Sequence, residues 1–255
     1  MYPFFTSSSL PEAAFSRGSW EPGISVPIYR LAADYRFPDP SQAEADGLLA
    51  VGGDLHPARL VEAYASGIFP WFNEGDPILW WSPPERTLWL PGDFQPTANL
   101  RRTLRRAAFE IRVDGDFEGV IRGCATTPRP GQPGTWICEG MIAAYLELHR
   151  RGYAHSFEAW KDGSLAGGLY GLSLGAAFFG ESMFSLRPDA SKAAFHALCG
   201  TVFGWGFHFI DGQLPNPHLL RLGARSVPRS EYLARLAAAL DEPTRKGPWR
   251  ALSPE

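Results

Sequence analysis

Lysine is nearly absent from this 255-residue chain: of 24 basic residues, only Lys161, Lys192 and Lys246 are lysines. The rest are arginines, whose planar fork suits phosphates and aromatic faces, although a biased genome composition produces the same excess. Cysteine is scarce as well. Cys124, Cys138 and Cys199 form no C-x-x-C pair and are odd in number, which argues against a disulfide framework and for a reducing compartment, the cytoplasm. No run approaches the roughly 20 apolar residues of a membrane helix. The stretch MYPFFTSSSLPEAAFSRGSW lacks a basic segment leading into an apolar one, so neither a signal peptide nor a membrane span is expected. Also missing are G-x-x-x-x-G-K-[ST], G-x-G-x-x-G and H-E-x-x-H, which makes nucleotide hydrolysis, dinucleotide binding and zinc chemistry improbable, and no metal site is expected.

What the chain has is apolar bulk. It is 45% hydrophobic, with 17 Phe, 9 Trp and 8 Tyr, enough for a sizeable core; 23 Pro and 27 Gly make it loop-rich. A net charge of -3 and a pI near 6.1 argue against coating nucleic acid by bulk charge, for which domains with a pI above about 9 are usual. The charge is uneven, however. Residues 34–93 hold ten carboxylates against Arg36, Arg59 and Arg86, the mark of a separate acidic module. The expected organisation is an extended leader (1–30), a small N-terminal α/β domain (31–92), a larger domain (93–242) and a C-terminal tail (243–255).

Periodicity fills in the elements. Pro57 opens a helix with Leu60, Val61 and Tyr64 on one face and Gly67 as its stop. The segment 67–90, with four Trp and four Pro, reads as loop and short strand. In NLRRTLRRAA (99–108), Leu100 and Leu104 share a helical face, while Arg101/Arg105 and Arg102/Arg106 stack as like-charge pairs on the other. An anionic partner would relieve that repulsion; a solvated helix face is the alternative. A helix over 139–152 places Ile142, Tyr145, Leu146 and His149 together and ends at Gly152. The period then becomes two: strands at 155–160, 165–174 and 177–184, the first pair joined by an Asp-Gly turn, predict an antiparallel meander. A helix from Ser191 to about Gly204, a strand over 207–213 and an amphipathic helix over 230–240 complete an α+β chain with a mostly antiparallel sheet.

Chemistry-bearing residues are few. Gly180-Glu181-Ser182-Met183-Phe184 starts like a nucleophile elbow but ends in Phe and lies in the meander, which argues against Ser182 as a nucleophile. Alternation puts Asp211 and Gln213 on one face of their strand, as a buried structural pair or as a reactive polar cluster. Glu181 sits among Phe178, Phe179, Met183 and Phe184, where a carboxylate either faces solvent or is held for a purpose. Trp71 and Trp136 lie in Gly- and Pro-rich loops, as core or as stacking platforms.

Taken together, DGLLAVGGDL, GIFPWF, DPILWWSP, GTWI, HSFEAW, GGLYG, FFGESMFS, ASKAA, IDGQLPN and LGARSVPR resemble, in order and spacing, the bacterial leucyl/phenylalanyl-tRNA protein transferases, over roughly residues 36 to 240. The resemblance implies a second domain with the Gcn5-related acetyltransferase (GNAT) fold, without coenzyme A or any other cofactor. It implies transfer of Leu or Phe, with Met as a further donor, from aminoacyl-tRNA to the α-amino group of proteins beginning with Arg or Lys. The product is a degradation signal of the N-end rule pathway, made in the cytoplasm by a monomer. Matched by motif, Trp71 and Trp136 would hold the 3′-terminal adenosine. Leu169, Phe178 and Met183 would form the pocket for the transferred side chain; some members have Met where Leu169 stands. Glu181 would lie near the reacting group, with Asp211 and Gln213 as the D-x-Q catalytic pair, whose middle residue, often Cys, is Gly212 here. Ser185 and Asn216 would be further substrate-site residues. Arg101, Arg102, Arg105 and Arg106, with Arg221, Arg225 and Arg229, are the expected contacts to tRNA phosphates.

Two other classes compete. An acyl-CoA-dependent N-acyltransferase on the same fold wants a Gly-rich pyrophosphate loop, which FSLRPDA before Ser191 does not supply. A non-catalytic adaptor would use Glu181 and Asp211 to hold a basic N-terminal residue.

Overall fold

The computed structural model describes residues 28–128 and 135–249; most of the leader and the end of the tail lie outside the described residues. The first sheet comprises β1 (Tyr29–Leu31), β2 (Leu48–Gly52), β3 (Phe69–Pro70) and β4 (Leu79–Trp81), in the order β1-β2-β4-β3 with β1 and β2 parallel. Packed with it is α1 (Pro57–Ala65). Pro57 suits the first turn, where an N–H would go unpaired; His56 caps it, and Gly67 leaves it at φ 75°.

The second sheet has seven strands: β5 (Glu85–Trp89), β6 (Glu110–Val113), β7 (Ala154–Lys161), β8 (Ser164–Leu174), β9 (Ala177–Ser185), β10 (Phe209–Gln213) and β11 (Arg225–Pro228). Their order is β11-β5-β10-β9-β8-β7-β6, and only the β9–β10 pair is parallel. The helices are α2 (Ala98–Arg105), α3 (Phe117–Thr126), α4 (Glu139–Arg150), α5 (Ala190–Gly204), α6 (Pro217–Arg221) and α7 (Arg229–Leu240). The chain is therefore α+β with two mixed sheets. Composition puts the break after residue 92, but the sheets part between Trp81 and Glu85, because β5 pairs with β10 and β11.

The meander and the helices at 57, 139, 191 and 230 follow the periodicity read from the sequence. The β7–β8 turn places Asp162 and Gly163 at φ 51° and 72°, the two left-handed positions that an Asp-Gly hairpin supplies. Each face of the large sheet carries its own core. One gathers Tyr64, Tyr145, Tyr170, Leu172, Phe179, Tyr232 and Leu236 beneath α1, α3, α4 and α7. The other gathers Leu169, Phe178, Met183, Phe195, Leu198 and Ile210 beneath α2 and α5. Residues 243–249 close onto this second core. Trp249 is fully buried, stacks on His155 at 3.7 Å, and donates its backbone N–H to Asp114. None of the described helices is long and apolar enough to cross a membrane.

Candidate active site

The centre of the site is made by two irregularities in the sheet. Along β8–β9, Gly171 faces Gly180 and Tyr170 faces Ser182, so Glu181 is an extra residue without a partner. Such a bulge shifts the phase of the strand. In a regular strand Phe178 and Met183, five residues apart, would point to opposite faces. Here both enter the second core with Leu169, which lies opposite Met183, while Glu181 joins the first. The three residues expected to line a side-chain pocket are thus brought together, each 2% exposed or less.

The second irregularity is in β10. Between Asp211, opposite Leu88, and Gln213, opposite Thr87, the register slips at Gly212. Gln213 takes φ 61°, a left-handed conformation that costs a residue bearing a Cβ about 1 kcal/mol. Its N–H donates to Asp211 Oδ1 at 2.7 Å, which offsets that cost. Gly212 points away from this pair: a Cβ there would meet the Trp89 ring at 2.7 Å, so a Cys at this position would force Trp89 to shift.

Glu181, 1% exposed, accepts hydrogen bonds from Tyr64 (2.6 Å), Tyr145 (2.9 Å) and Gln213 Nε2 (2.8 Å). The two tyrosine hydroxyls are also 2.5 Å from each other. Burial pushes the Glu181 carboxyl up to about 7, against the lowering effect of its three donors. Burial, together with the Glu181 charge, holds both tyrosines well above the usual phenol range, so they remain protonated donors. The remaining side-chain polar atom of Gln213, Oε1, is buried with no hydrogen-bond partner among the described residues. An ionised Glu181 only accepts; it holds Gln213 by its amide N–H and turns Oε1 the other way. Asp211 is bound on its own side by Arg86 (2.8 Å) and Tyr232 (2.9 Å). Asp211, Gln213 and Glu181 therefore form one connected cluster. Nothing in the sequence pattern marks Tyr64, Tyr145, Arg86 or Tyr232 as site residues. The two tyrosines on α1 and α4 look like ordinary core from their spacing; the available signal was that a buried tyrosine hydroxyl needs a partner.

Other expected residues stand differently. Trp71 and Trp136 are 7% and 5% exposed and belong to the first core. Of the two readings open from the sequence, core or stacking platform, both rings are packed as core here. The Trp71 ring lies 5.8 Å from that of Trp81. Ser185 accepts from the Ser191 N–H and donates to the Arg187 carbonyl, shaping the turn into α5. Asn216 caps α6. On α2, Leu100 is buried while Arg101, Arg102, Arg105 and Arg106 are all exposed, and among the described residues none of the four is in an ion pair. Arg221 is exposed as well. Arg225 instead pairs with Asp93, and Arg229 donates to the carbonyls of Pro40 and Ser82. Both are thus engaged within the chain. Among the described residues no three His, Cys, Asp or Glu side chains converge as a metal cage.

With this geometry in place, comparison with known proteins shows which family the chain resembles. The family model described as leucyl/phenylalanyl-tRNA protein transferase matches residues 88–237, and that of the N-terminal domain of the same proteins matches 53–84. The chain belongs to the leucyl/phenylalanyl-tRNA protein transferase family. Membership makes it an enzyme, an aminoacyltransferase. A relative from Anaeromyxobacter sp. (strain Fw109-5) bearing the family name is 57% identical over 222 residues, 87% of this chain and 94% of that protein. One from Myxococcus xanthus (strain DK1622) is 54% identical over 226 residues, 88% of this chain and 97% of that protein. Among solved structures, the C-terminal domain (DUF2156) of a putative lysylphosphatidylglycerol synthetase from Agrobacterium fabrum aligns with 65% of this chain and 54% of its own, at 16% identity and a TM-score of 0.35. L-PGS from Bacillus licheniformis aligns at 11% identity and a TM-score of 0.36, over 66% and 54%. The chain spans just over half of each of these two, and so distant a likeness carries no argument.

Proposed function

We propose that this member of the family transfers Leu or Phe, with Met as a further donor, from aminoacyl-tRNA to the α-amino group of proteins whose first residue is Arg or Lys. The product is a degradation signal of the N-end rule pathway, and the reaction runs in the cytoplasm, by a monomer, without a cofactor. The observation that carries the chemistry is the buried Oε1 of Gln213, which has no hydrogen-bond partner among the described residues. Its amide nitrogen is committed to Glu181 and its backbone to Asp211, so the carbonyl oxygen is left as an acceptor for the N–H of an incoming amine.

An aminoacyl ester is already activated, and an α-amine has a pKa near 8, so the barrier is mainly positioning plus the removal of one proton. The amine nitrogen attacks the ester carbonyl carbon while one of its N–H groups donates a hydrogen bond to Gln213 Oε1. The tetrahedral intermediate then loses the 3′-oxygen of the tRNA, the new peptide C–N bond remains, and the proton leaves with the 3′-hydroxyl, through water. A glutamine oxygen is too weak a base to keep that proton. Glu181 keeps the amide in its working orientation, and Asp211 holds the left-handed turn that presents it. Leu169, Phe178 and Met183 would receive the transferred side chain. Trp71 and Trp136 would take the terminal adenosine, with Ser185 and Asn216 shaping the loops beside the donor. For the architecture we favour the GNAT fold: an antiparallel meander, a helix and a parallel return strand agree with it.

Incubating the protein with Phe-tRNA carrying radiolabelled Phe and a peptide with N-terminal Arg tests the reading. Label appears on the peptide, lengthened by one residue, and Asp211→Ala slows the single turnover. A peptide left unextended, with acetyl-CoA consumed in its place, would overturn transfer from tRNA; an unchanged Asp211→Ala rate would overturn the role of Asp211.

A further inference from the structure

Arg86 lies in β5, 1% exposed, in the acidic part of the sequence, and nothing in its local pattern distinguishes it. In the structure it is the hub of the buried cluster. Nε reaches both carboxylate oxygens of Asp211 at 3.1 Å, and Nη2 reaches Oδ2 at 2.8 Å. Nη2 also lies 3.2 Å from the Tyr232 hydroxyl, and Nη1 donates to the Gly67 carbonyl at 3.0 Å. The guanidinium plane is clamped between the rings of Phe69 and Tyr232, 4.7 and 4.4 Å from their centroids.

These contacts close a ring. Gly67 ends α1, its N–H bonded to the Tyr64 carbonyl. Tyr64 holds Glu181, Glu181 holds the Gln213 amide, and the Gln213 N–H is bonded to Asp211, which returns to Arg86. Both ends of Gln213, side chain and backbone, are thus referenced to one guanidinium. The fork is required because a lysine offers one point charge and cannot hold Asp211 and the Gly67 carbonyl in one plane.

We infer that Arg86 is a positioning residue of the transfer reaction: it fixes Asp211 and the end of α1 relative to each other, and so sets where Gln213 Oε1 meets the amine. The inference rests on the transfer reading above. Arg86 is bonded to Asp211 and the Gly67 carbonyl and not to Gln213 Oε1, so its loss lowers the rate at saturation and not the affinity for the acceptor.

The test uses the full chain, wild type beside Arg86→Lys, Arg86→Ala and the neutral pair Arg86→Met/Asp211→Asn, in single-turnover and steady-state transfer of Phe to an N-terminal-Arg peptide. Arg86→Lys should lose about tenfold and Arg86→Ala about a hundredfold in kcat, with the peptide KM within about threefold of wild type. Guanidinium chloride at about 20 mM, well below denaturing levels, should return at least about tenfold to Arg86→Ala by refilling the site, and nothing to wild type. The neutral pair should melt near wild type yet stay inactive, which separates stability from positioning. The inference is overturned if folded Arg86→Lys and Arg86→Ala transfer at the wild-type rate, if the loss is in KM alone, or if guanidinium restores nothing. A wild type that transfers nothing is the failure of the functional reading instead, and is seen before any variant is compared.

Discussion

Glu181 and Gln213 do their work through environments that neither residue announces. With its folded value raised to about 7 and an ordinary value of 4.5, Glu181 binds a proton in the folded state across the interval between. The associated stability is full below about 4.5 and is lost as pH rises through 7, a loss on the order of 3 kcal/mol for a shift of that size. Glu181→Gln carries no such proton. Urea unfolding at a series of pH values should show wild type losing stability relative to the variant between pH about 5 and 8; parallel curves would remove the raised carboxyl. Gln213 allows a cleaner separation of fold from function. Its left-handed backbone suits glycine, so Gln213→Gly relieves strain while deleting the acceptor oxygen. Thermal melting should stay within about 1 kcal/mol of wild type while single-turnover transfer falls at least about a hundredfold. A large loss of stability would mean that the side chain's bond to Glu181 outweighs the backbone strain.

At the level of elements, what the sequence disclosed was whatever repeats. The meander, α4, α5 and α7 announce themselves through apolar periodicity and turn chemistry, and the ordered motifs pointed to Asp211, Gln213 and Glu181. The four-residue strands β6 and β11 did not, because so few residues give too little pattern and β11 pairs with a strand far away in the chain, and the ten-residue helix α3 was not marked either. Neither could alternation predict that Phe178 and Met183 share a core, since a bulge inverts the phase between them. The only local trace of that bulge is glycine, at Gly180 on one strand and Gly171 on the other. At Gly171 a Cβ would meet the Phe179 carbonyl at 2.2 Å and the Phe178 ring at 2.6 Å. The first obstacle is backbone, so it cannot yield cheaply. Gly171→Ala should destabilise by about 2–4 kcal/mol in chemical denaturation and shift the Leu/Phe preference by moving Phe178; a wild-type midpoint would show that the two strands separate there at little cost.

Across the whole molecule the charge distribution matters more than its sum. A net charge of -3 conceals an acidic first domain and a run of arginines on α2. Many other surface arginines are paired within the chain, Arg112 with Glu110, Arg122 with Glu118 and Glu139, Arg150 and Arg151 with Glu147, Arg225 with Asp93 and Arg235 with Glu231, whereas Arg30, Arg36, Arg187 and Arg221 are exposed singly. The α2 set is exposed, mutually repulsive and outside every ion pair among the described residues. A polyanion laid along α2 would relieve that repulsion and release counter-ions. Each phosphate contact contributes about 0.7 to 0.9 to the slope of log K against log salt. Replacing Arg101, Arg102, Arg105 and Arg106 with Gln should therefore flatten the slope for tRNA binding by up to about three units, and by nearly the same amount for any tRNA sequence, since phosphates carry no sequence information. Single-turnover transfer from saturating Phe-tRNA should be little changed, because α2 packs on the α5 side, away from the Glu181–Gln213 cluster. An unaltered salt slope would move the tRNA to another face, with Arg221 the next basic residue to test.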